Sequence, residues 1–238
     1  MQMYKIKWFN ITGSTFSDVE NARAALSHKE IWAARYQSAG KGQKGNSWNS
    51  AAGQNLTFTL LLRHNNFDAR RQFLLSQAVS LGVCEFLRKE GAVTRIKWPN
   101  DIYAGQRKIC GILIRHTVSG GMLSDSVVGI GLNINQTEFP ATVPNPVSLA
   151  QITGRQYDVE ALLPSLADCI YSEYDSIGPE TDIRYHNLLY LKGEEHIFTD
   201  CATGEKFSGT IEGAGPDGRL RIATAGGERL FAFKEVAY

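Results

Sequence analysis

Residues 94–135 read TRIKWPNDIYAGQRKICGILIRHTVSGGMLSDSVVGIGLNIN, and this stretch decides the fold. Its apolar, β-branched runs are short and alternate with turn signals at 99–101, 104–105 and 119–121. The pattern predicts a run of short strands: Thr94–Lys97, Ile102–Ala104, Lys108–Arg115 and Ser126–Leu132. We therefore expect a β-rich centre to the chain.

The flanking segments add two strands and two helices. Ile31–Tyr36 and Asn55–Arg63 are apolar enough for strands, whereas Asp68–Glu90 carries apolar residues at helical spacing. A second helix is predicted over Asp158–Ile177, where Pro164 requires either a later start or a bend. These elements predict a mixed α/β domain over residues 1–190.

The pattern of the sequence changes after about Leu191. Four or five short strands, separated by turn pairs such as Thr203-Gly204 and Gly226-Gly227, are predicted over about fifty residues. Strands of this length and spacing are typical of a compact β-barrel or sandwich. Residues 191–238 are therefore predicted to form a small second domain.

Composition narrows the class of protein. The chain has 238 residues, with 25 Lys and Arg against 24 Asp and Glu, so its charge gives no reason to expect a nucleic-acid or anionic-membrane partner. We find neither a membrane-spanning apolar run nor a signal peptide. The four cysteines form no Cys-x-x-Cys pair and cluster with no histidine, which predicts reduced packing cysteines in a cytoplasmic protein; they are Cys84, Cys110, Cys169 and Cys201.

The glycine-rich stretch Gly40–Gly45 (GKGQKG) allows several interpretations. It matches the dinucleotide motif G-x-G-x-x-G, but a strand follows where that motif needs a helix. It nearly matches a phosphate-binding P-loop, but Asn46 replaces the essential lysine. A nest of backbone N–H groups for phosphate oxygens, with charge from Lys41 and Lys44, fits the residues. A flexible solvated loop is the alternative.

Several motifs follow one another in a specific order. They are Ser14-Thr15, the glycine-rich loop with Trp48, Lys97-Trp-Pro-Asn-Asp101, Lys108-x-x-Gly-Ile-Leu113 and Gly129-x-Gly-x-Asn133, followed by the β-rich tail. In this order they resemble the biotin–protein ligase family over nearly the whole chain. The resemblance implies an α/β (α+β) fold, in which a mixed β-sheet with packed helices precedes a small SH3-like β-barrel.

The resemblance also implies a reaction. Such enzymes join the carboxylate of biotin to the α-phosphate of ATP, which gives biotinyl-5′-AMP. They then pass the biotinyl group to one lysine of a biotin carboxyl carrier protein domain of a biotin-dependent carboxylase. ATP and biotin are thus expected as substrates, with Mg²⁺. Because two anions must meet, the site needs fixed cations and N–H groups.

Roles for individual residues follow from the resemblance. Lys108 and Lys41 match the catalytic cations. The biotin-binding positions are Ser14, Thr15, Gln37, Gly40, Lys41, Gln43, Trp48, Lys108, Gly111, Gly129 and Leu132. The ATP-binding positions are Lys41, Gln43, Lys44, Asn46, Asn100, Asp101, Lys108 and Asn133, of which Asn100 and Asp101 are candidate ligands for Mg²⁺.

Some residues depart from the family pattern or have a structural alternative. Lys41 stands where the family usually has Arg, and Gln43 and Asn46 stand where it often has Arg. Phe16 follows Ser-Thr where an Asn is common. Without the resemblance, Lys108 would be interpreted as a lysine packed at a strand edge. Trp48 fits a core tryptophan as well as it fits a binding residue. Asn100-Asp101 could simply form an Asx turn.

Two other functions compete with a biotin ligase. Lipoate–protein ligases share the general fold and carboxylate activation, but their Arg-Arg-rich, triple-glycine loop is not found here. A non-catalytic sensor of biotin or its adenylate is the other alternative, although the presence of Lys108 disfavours it. Only about a dozen residues precede Ser14, too few for the helix-turn-helix domain that some relatives carry, so no DNA role is expected. Both a monomer and a homodimer remain open.

Overall fold

The computed structural model describes residues 4–43 and 45–238. Its strands are β1 (Ile6–Thr12), β2 (Glu30–Gln37), β3 (Asn55–Asp68), β4 (Arg95–Lys97), β5 (Asp101–Ala104), β6 (Arg107–Ser119), β7 (Met122–Asn133), β8 (Glu195–Asp200), β9 (Lys206–Ala214), β10 (Leu220–Thr224), β11 (Gly227–Phe231) and β12 (Val236–Ala237). Its helices are α1 (Thr15–Ala22), α2 (Gln72–Lys89), α3 (Leu149–Thr153), α4 (Val159–Asp175) and α5 (Pro179–Asn187).

Seven strands form one mixed sheet in the order β1-β2-β3-β7-β6-β5-β4. The outer pair β1–β2 is parallel, and the other neighbouring pairs are antiparallel. The four strands expected in residues 94–135 lie side by side as one half of this sheet. This arrangement confirms the predicted mixed sheet with packed helices.

Several predicted boundaries shift. The strand β1 and the helix α1 were not predicted, because neither segment has a clear periodic pattern of apolar residues. Strands β6 and β7 run further than expected, to a turn where Gly120 and Gly121 have φ of 58° and 79°. Helix α2 begins at Gln72 rather than Asp68, since a 3₁₀ turn capped by Asp68 comes first. Helix α4 begins one residue after Asp158, which caps it, and continues through Pro164.

Helices α2 and α4 cover one face of the seven-stranded sheet, which we call the core face. Leu56, Leu60, Val128 and Leu132 lie on this face and are fully buried. Each such side chain contributes about 1.5–3 kcal/mol through burial. The two helices approach closely at Gly82, where a Cβ atom would lie 2.6 Å from the Cα of Ile170.

The opposite face of the sheet, which we call the cavity face, carries Gly111, Gly129, Gly131 and Asn133. Helix α1 covers part of it through a separate apolar cluster that contains Phe16 and Val19, together with Leu26, Leu61 and Val127. The rest of this face lies under the glycine-rich loop. The two faces thus differ in what covers them.

The last five strands form an antiparallel sheet in the order β11-β10-β9-β8-β12, which confirms the predicted β-rich tail. This sheet contacts the turn between β4 and β5. The indole N–H of Trp98 donates to the Gly218 carbonyl at 2.9 Å. The division of the chain after residue 190 stays a prediction.

All four cysteines are free thiols. Cys84, Cys110 and Cys169 are buried, as expected for packing residues, and burial raises the pKa of Cys84 to about 12. The expectation is wrong for Cys201, which is exposed because it lies in the turn between β8 and β9. Over residues 4–43 and 45–238, no helix is both long and apolar enough to cross a membrane.

Candidate active site

A cavity of about 460 Å³ lies on the cavity face, under the glycine-rich loop. The structure brings most of the predicted site residues to its wall. These are Ser14, Thr15, Gln37, Lys41, Gln43, Asn46, Trp48, Asp101, Lys108, Gly111, Gly129 and Asn133. Residues from five separate stretches of the chain therefore converge on one space.

Three predicted residues do not line the cavity, and a fourth is not among the described residues. Lys44 is outside the described residues. Gly40 closes the base of the loop, where its carbonyl accepts from the N–H of Trp48 at 2.9 Å. Asn100 is buried beneath the loop. Leu132 does not line the cavity; its side chain packs in the core, because side chains alternate along β7 and its neighbours Gly131 and Asn133 face the cavity.

Lys108 reaches the cavity because of a β-bulge. In a regular strand, Lys108 and Gly111, which are three positions apart, would point to opposite faces. The pairing of β5 with β6 shifts between Ile102 and Tyr103, so that Ile109 and Cys110 are both fully buried in the core. A Cβ atom on Gly111 would lie 3.4 Å from the Nζ of Lys108. The bulge thus explains the Lys-x-x-Gly spacing.

The position of Lys108 is fixed from two sides. Its Nζ donates to Asp101 Oδ2 at 2.6 Å, and both side chains are partly exposed to the cavity. Its backbone N–H donates to the Asn145 carbonyl at 2.7 Å, and its carbonyl accepts from the N–H of Val147 at 3.0 Å. An oriented cation therefore lies at the wall of the cavity.

A group of polar side chains lies where β1 leads into α1. Gln37 Oε1 accepts from the backbone N–H of Thr15 at 2.7 Å and from its hydroxyl at 3.0 Å. The hydroxyl of Ser14 is buried and has no hydrogen-bond partner among the described residues. A buried polar group that lines a cavity in this way would gain from a ligand that completes its bonding.

The indole of Trp48 lies flat against the sheet. A Cβ atom on Gly131 would lie only 2.2 Å from Cε2 of this indole, and one on Gly111 would lie 3.0 Å from Cζ3. The two glycines therefore create the space that the indole occupies. Trp48 is thus a side chain of the loop that packs over the cavity face, rather than a residue of the main core.

Comparisons with known proteins agree with this geometry. Residues 12–133 match the model of the biotin/lipoate A/B protein ligase family. A biotin–[acetyl-CoA-carboxylase] ligase from Paracoccus denitrificans is 30% identical over 237 residues, which cover 95% of this chain and 98% of that protein. The chain belongs to the biotin/lipoate A/B protein ligase family.

Other relatives of this family member match it over different shares of their length. The bifunctional ligase/repressor BirA of Escherichia coli is 37% identical over 113 residues, which are 47% of this chain and 35% of BirA. The chain therefore spans well under half of some curated relatives. A biotin protein ligase from Aquifex aeolicus in complex with biotin and ATP superposes with a TM-score of 0.81 at 25% identity, over 98% of this chain and 97% of that one.

Part of the cavity wall was not predicted from the sequence of this family member. The missed residues include Phe16, Phe139, Val143, Pro144 and Phe233. Phe16 was interpreted only as the loss of a polar contact, yet its ring is buried against Gly129, where a Cβ atom would lie 2.8 Å from Cδ2. Residues 139–148 contain three prolines, which are typical of an ordered loop, and these prolines were the available signal for the wall that the loop forms.

The lysine that begins the Lys-Trp-Pro-Asn-Asp motif does not line the cavity. Lys97 Nζ lies 5.3 Å from the ring centre of Tyr103 and 4.7 Å from that of Tyr238. Desolvation by burial lowers the pKa of Lys97, although nearby Asp101 opposes the effect. Lys97 and Lys108 therefore belong to different surroundings, which makes Lys97 a suitable comparison for Lys108.

Proposed function

We propose that this chain is a biotin–protein ligase. It would activate biotin with ATP as biotinyl-5′-AMP and transfer the biotinyl group to one lysine of a biotin carboxyl carrier protein domain. The observation that carries the proposal is that the same cavity is lined by the polar group of Ser14, Thr15 and Gln37 and by the cations Lys41 and Lys108. The polar group suits the donors and acceptors of a ureido ring.

The cations suit the first step. A carboxylate oxygen of biotin bonds to the α-phosphorus of ATP as the bond to the bridging oxygen breaks, and pyrophosphate leaves with the electron pair. Negative charge then accumulates on the α-phosphate oxygens, and Lys108, held by Asp101, is placed to neutralise it. Lys41 adds a second positive charge from the loop, as a point charge without the fork of an arginine.

The second step needs no nucleophile from the enzyme. The neutral amine of the carrier lysine bonds to the acyl carbon, the bond from that carbon to the phosphate oxygen breaks, AMP leaves, and the nitrogen loses one proton to solvent. The mixed anhydride is itself the activated intermediate, so exclusion of water matters more than further activation. Trp48 and the loop that carries it cover the cavity face and are positioned to exclude water.

Magnesium would be held mainly by Asp101. Its carboxylate lines the cavity, and one carboxylate together with substrate phosphate oxygens is a common arrangement for Mg²⁺. Asn100 suits the ion less well, because its only side-chain oxygen accepts a hydrogen bond from Gln43 at 2.7 Å, whereas Asp101 has a second oxygen besides the Oδ2 that accepts from Lys108. When bound, the ion would offset phosphate charge.

Pyrophosphate release tests the proposal. Purified protein is incubated with ATP and with biotin, lipoate or neither, and biotin-dependent release is expected. Transfer is then measured as label on a carrier domain, with a carrier that lacks its acceptor lysine as the control. Release only with lipoate would favour a lipoate ligase, and biotin binding without release would favour a sensor. We also infer a cytoplasmic location, which the free cysteines support.

A further inference from the structure

The backbone of Lys108 is held by a short segment of the loop after β7, which we call the proline segment (residues 144–147). This segment lies beside the start of β6, before the pairing of β6 with β7 begins. The Lys108 N–H donates to the Asn145 carbonyl at 2.7 Å, and the Val147 N–H donates to the Lys108 carbonyl at 3.0 Å. Both backbone polar groups of Lys108 are therefore bonded to this one segment.

These two hydrogen bonds matter because Lys108 lies at a β-bulge. The register of β5 and β6 shifts by one residue beside it, which leaves Ile109 as an extra residue in β6. A bulge disrupts the hydrogen bonds of the ladder, so the direction of a side chain there depends on what else holds the backbone. The proline segment supplies those contacts at the residue whose side chain reaches the cavity.

The proline segment contains one residue with left-handed backbone. Asn145 lies between Pro144 and Pro146 and has φ of 45°. Asparagine adopts this conformation more readily than most residues other than glycine. Because the peptide units are planar, the backbone angles of Asn145 decide where its carbonyl points. The left-handed conformation thus directs this carbonyl towards the N–H of Lys108.

The side chain of Asn145 takes no part in the cavity wall. Pro144 and Pro146 line the cavity, whereas the side chain of Asn145 is exposed to solvent. The far end of the segment is fixed separately, since the buried Asn133 donates from Nδ2 to the Val147 carbonyl at 3.0 Å. A substitution of Asn145 therefore acts on the backbone of the segment and leaves its contacts with the cavity in place.

We propose that Asn145 is a positioning residue for adenylate formation, and that its left-handed backbone holds the carbonyl to which the N–H of Lys108 donates. This role rests on the proposed function. Lys108 is the group that would touch the reacting phosphate, and Asn145 acts through it. Loss of the left-handed conformation should slow the chemical step, because the cation is displaced from where charge develops. The affinity for biotin and ATP should change less.

Two substitutions of Asn145 separate its backbone conformation from its side chain. Valine is β-branched and disfavours left-handed backbone, whereas glycine adopts it freely, and both remove the exposed amide. Asn66 provides a matched control, since it is also exposed and left-handed, with φ of 60°. It lies near the end of β3, whereas Phe58 and Thr59, which line the cavity, lie near the start. Asn66→Val therefore introduces the same strain away from Lys108.

Hydrogen exchange tests the backbone contact in the protein without ligand. The exchange rate of the Lys108 amide is measured by NMR in wild type and in the three variants. We expect this amide to exchange about tenfold faster in Asn145→Val than in Asn66→Val, because the first variant loses the acceptor. Asn145→Gly should stay within about threefold of wild type. Equal rates in the two valine variants overturn the proposal.

Single-turnover kinetics test the consequence for the reaction. Adenylate formation is measured at saturating and at limiting biotin and ATP, which separates the rate constant from the apparent affinities. We expect Asn145→Val to lower the rate constant about tenfold and the affinities less than about threefold, and Asn145→Gly to recover most of the rate. A loss confined to affinity contradicts the positioning role, as does an equal loss in Asn66→Val. If wild type forms no adenylate, the proposed function fails, whereas amide exchange still decides whether Asn145 holds Lys108.

A double-mutant cycle tests whether Asn145 acts through Lys108. In a Lys108→Ala background, Asn145→Val should slow adenylate formation by less than about twofold more, because the cation that it positions is already absent. A further tenfold loss would show that Asn145 acts by another route and would contradict the proposal. Thermal unfolding of each variant is measured in parallel, so that loss of the fold is not mistaken for loss of positioning.

Discussion

The two faces of the seven-stranded sheet are built from opposite kinds of residue. On the core face, Leu132 and Val128 are fully buried under helices, whereas on the cavity face the neighbouring positions of β7 are Gly131 and Gly129. Leucine and valine stabilise the fold through the area they bury. The glycines leave space for Trp48 and Phe16. One strand therefore supplies stability on one side and a binding space on the other.

This difference predicts that substitutions on the two faces have different effects on stability and on activity. A change on the core face should lower stability and leave the cavity chemistry nearly intact in the protein that remains folded. A change on the cavity face should alter binding or catalysis with little effect on stability. The following variants test whether stability and activity depend on different faces, in order of decreasing expected effect.

Lys108→Ala is expected to have the largest effect on activity. Removal of an oriented cation at the developing phosphate charge should slow adenylate formation by about 10²–10³-fold. Single-turnover formation of labelled biotinyl-5′-AMP measures this, with Lys97→Met as a control that alters the other lysine of the same region. Adenylate formation within a few-fold of wild type would remove Lys108 from the mechanism.

Two neighbouring residues of β7 test the separation directly. Leu132→Ala should lower the free energy of unfolding by about 2–5 kcal/mol, because it leaves a void in the core. Gly131→Ala should cost about 1 kcal/mol or less, since the side chain that it meets belongs to a loop and can move. By displacing Trp48, Gly131→Ala should weaken adenylate binding about tenfold. Urea unfolding and ligand titration on both variants check these values, and the reverse pattern would contradict the division of faces.

The predicted elements agree best with the structure where the apolar residues follow one clear pattern along the chain. The strands β2 to β7 were predicted because buried strands are nearly continuous apolar runs. Helix α1 was missed, since it spans only Thr15–Ala22. Its N-cap residue is a serine whose hydroxyl makes no capping hydrogen bond. Short elements of this kind are fixed by tertiary contacts, here the packing of Phe16 on Gly129.

The candidate site was predicted through its motifs, and its remaining parts depend on geometry that motifs do not carry. The face to which Lys108 points depends on a bulge, and the side chain of Leu132 packs in the core because side chains alternate along β7. Phe233 comes from the second sheet, so nothing near it in sequence indicates the cavity.

The core face contains one polar cluster, which predicts how stability depends on pH. Ser126 Oγ lies 2.8 Å from His64 Nε2 and 2.7 Å from His116 Nδ1. Burial lowers the pKa of His64 to about 4, with a smaller contribution from nearby His116. An unfolded histidine titrates near 6.5, so its full stabilisation is present above that pH and is lost as the pH falls towards 4.

His64→Gln should therefore reduce the acid sensitivity of the fold. Between pH 7 and pH 5, wild type should lose about 2 kcal/mol of stability through His64, which the variant should retain. Urea unfolding at both pH values measures the difference. His116 and His28 also have lowered pKa values, so a smaller loss should persist in the variant. An equal loss in both proteins would show that folding does not lower the pKa of His64.

Gln43→Arg tests the glycine-rich loop over the cavity face and should have the smallest effect. Arginine can donate to both acceptors that Gln43 uses, the Asn100 oxygen and the Ile112 carbonyl, and it would add a positive charge to the loop. Because solvent screens a partly exposed cation, the gain should be about 0.5–1 kcal/mol, which slows release of biotinyl-5′-AMP only about two- to fivefold. The rate is measured by displacing bound, labelled biotinyl-5′-AMP with excess unlabelled ligand, and a high-salt repeat should remove most of the gain if charge is the cause. An off-rate equal to or faster than wild type would mean that the amide of Gln43 already holds the glycine-rich loop as well as an arginine can, and that the added charge does not reach the phosphate.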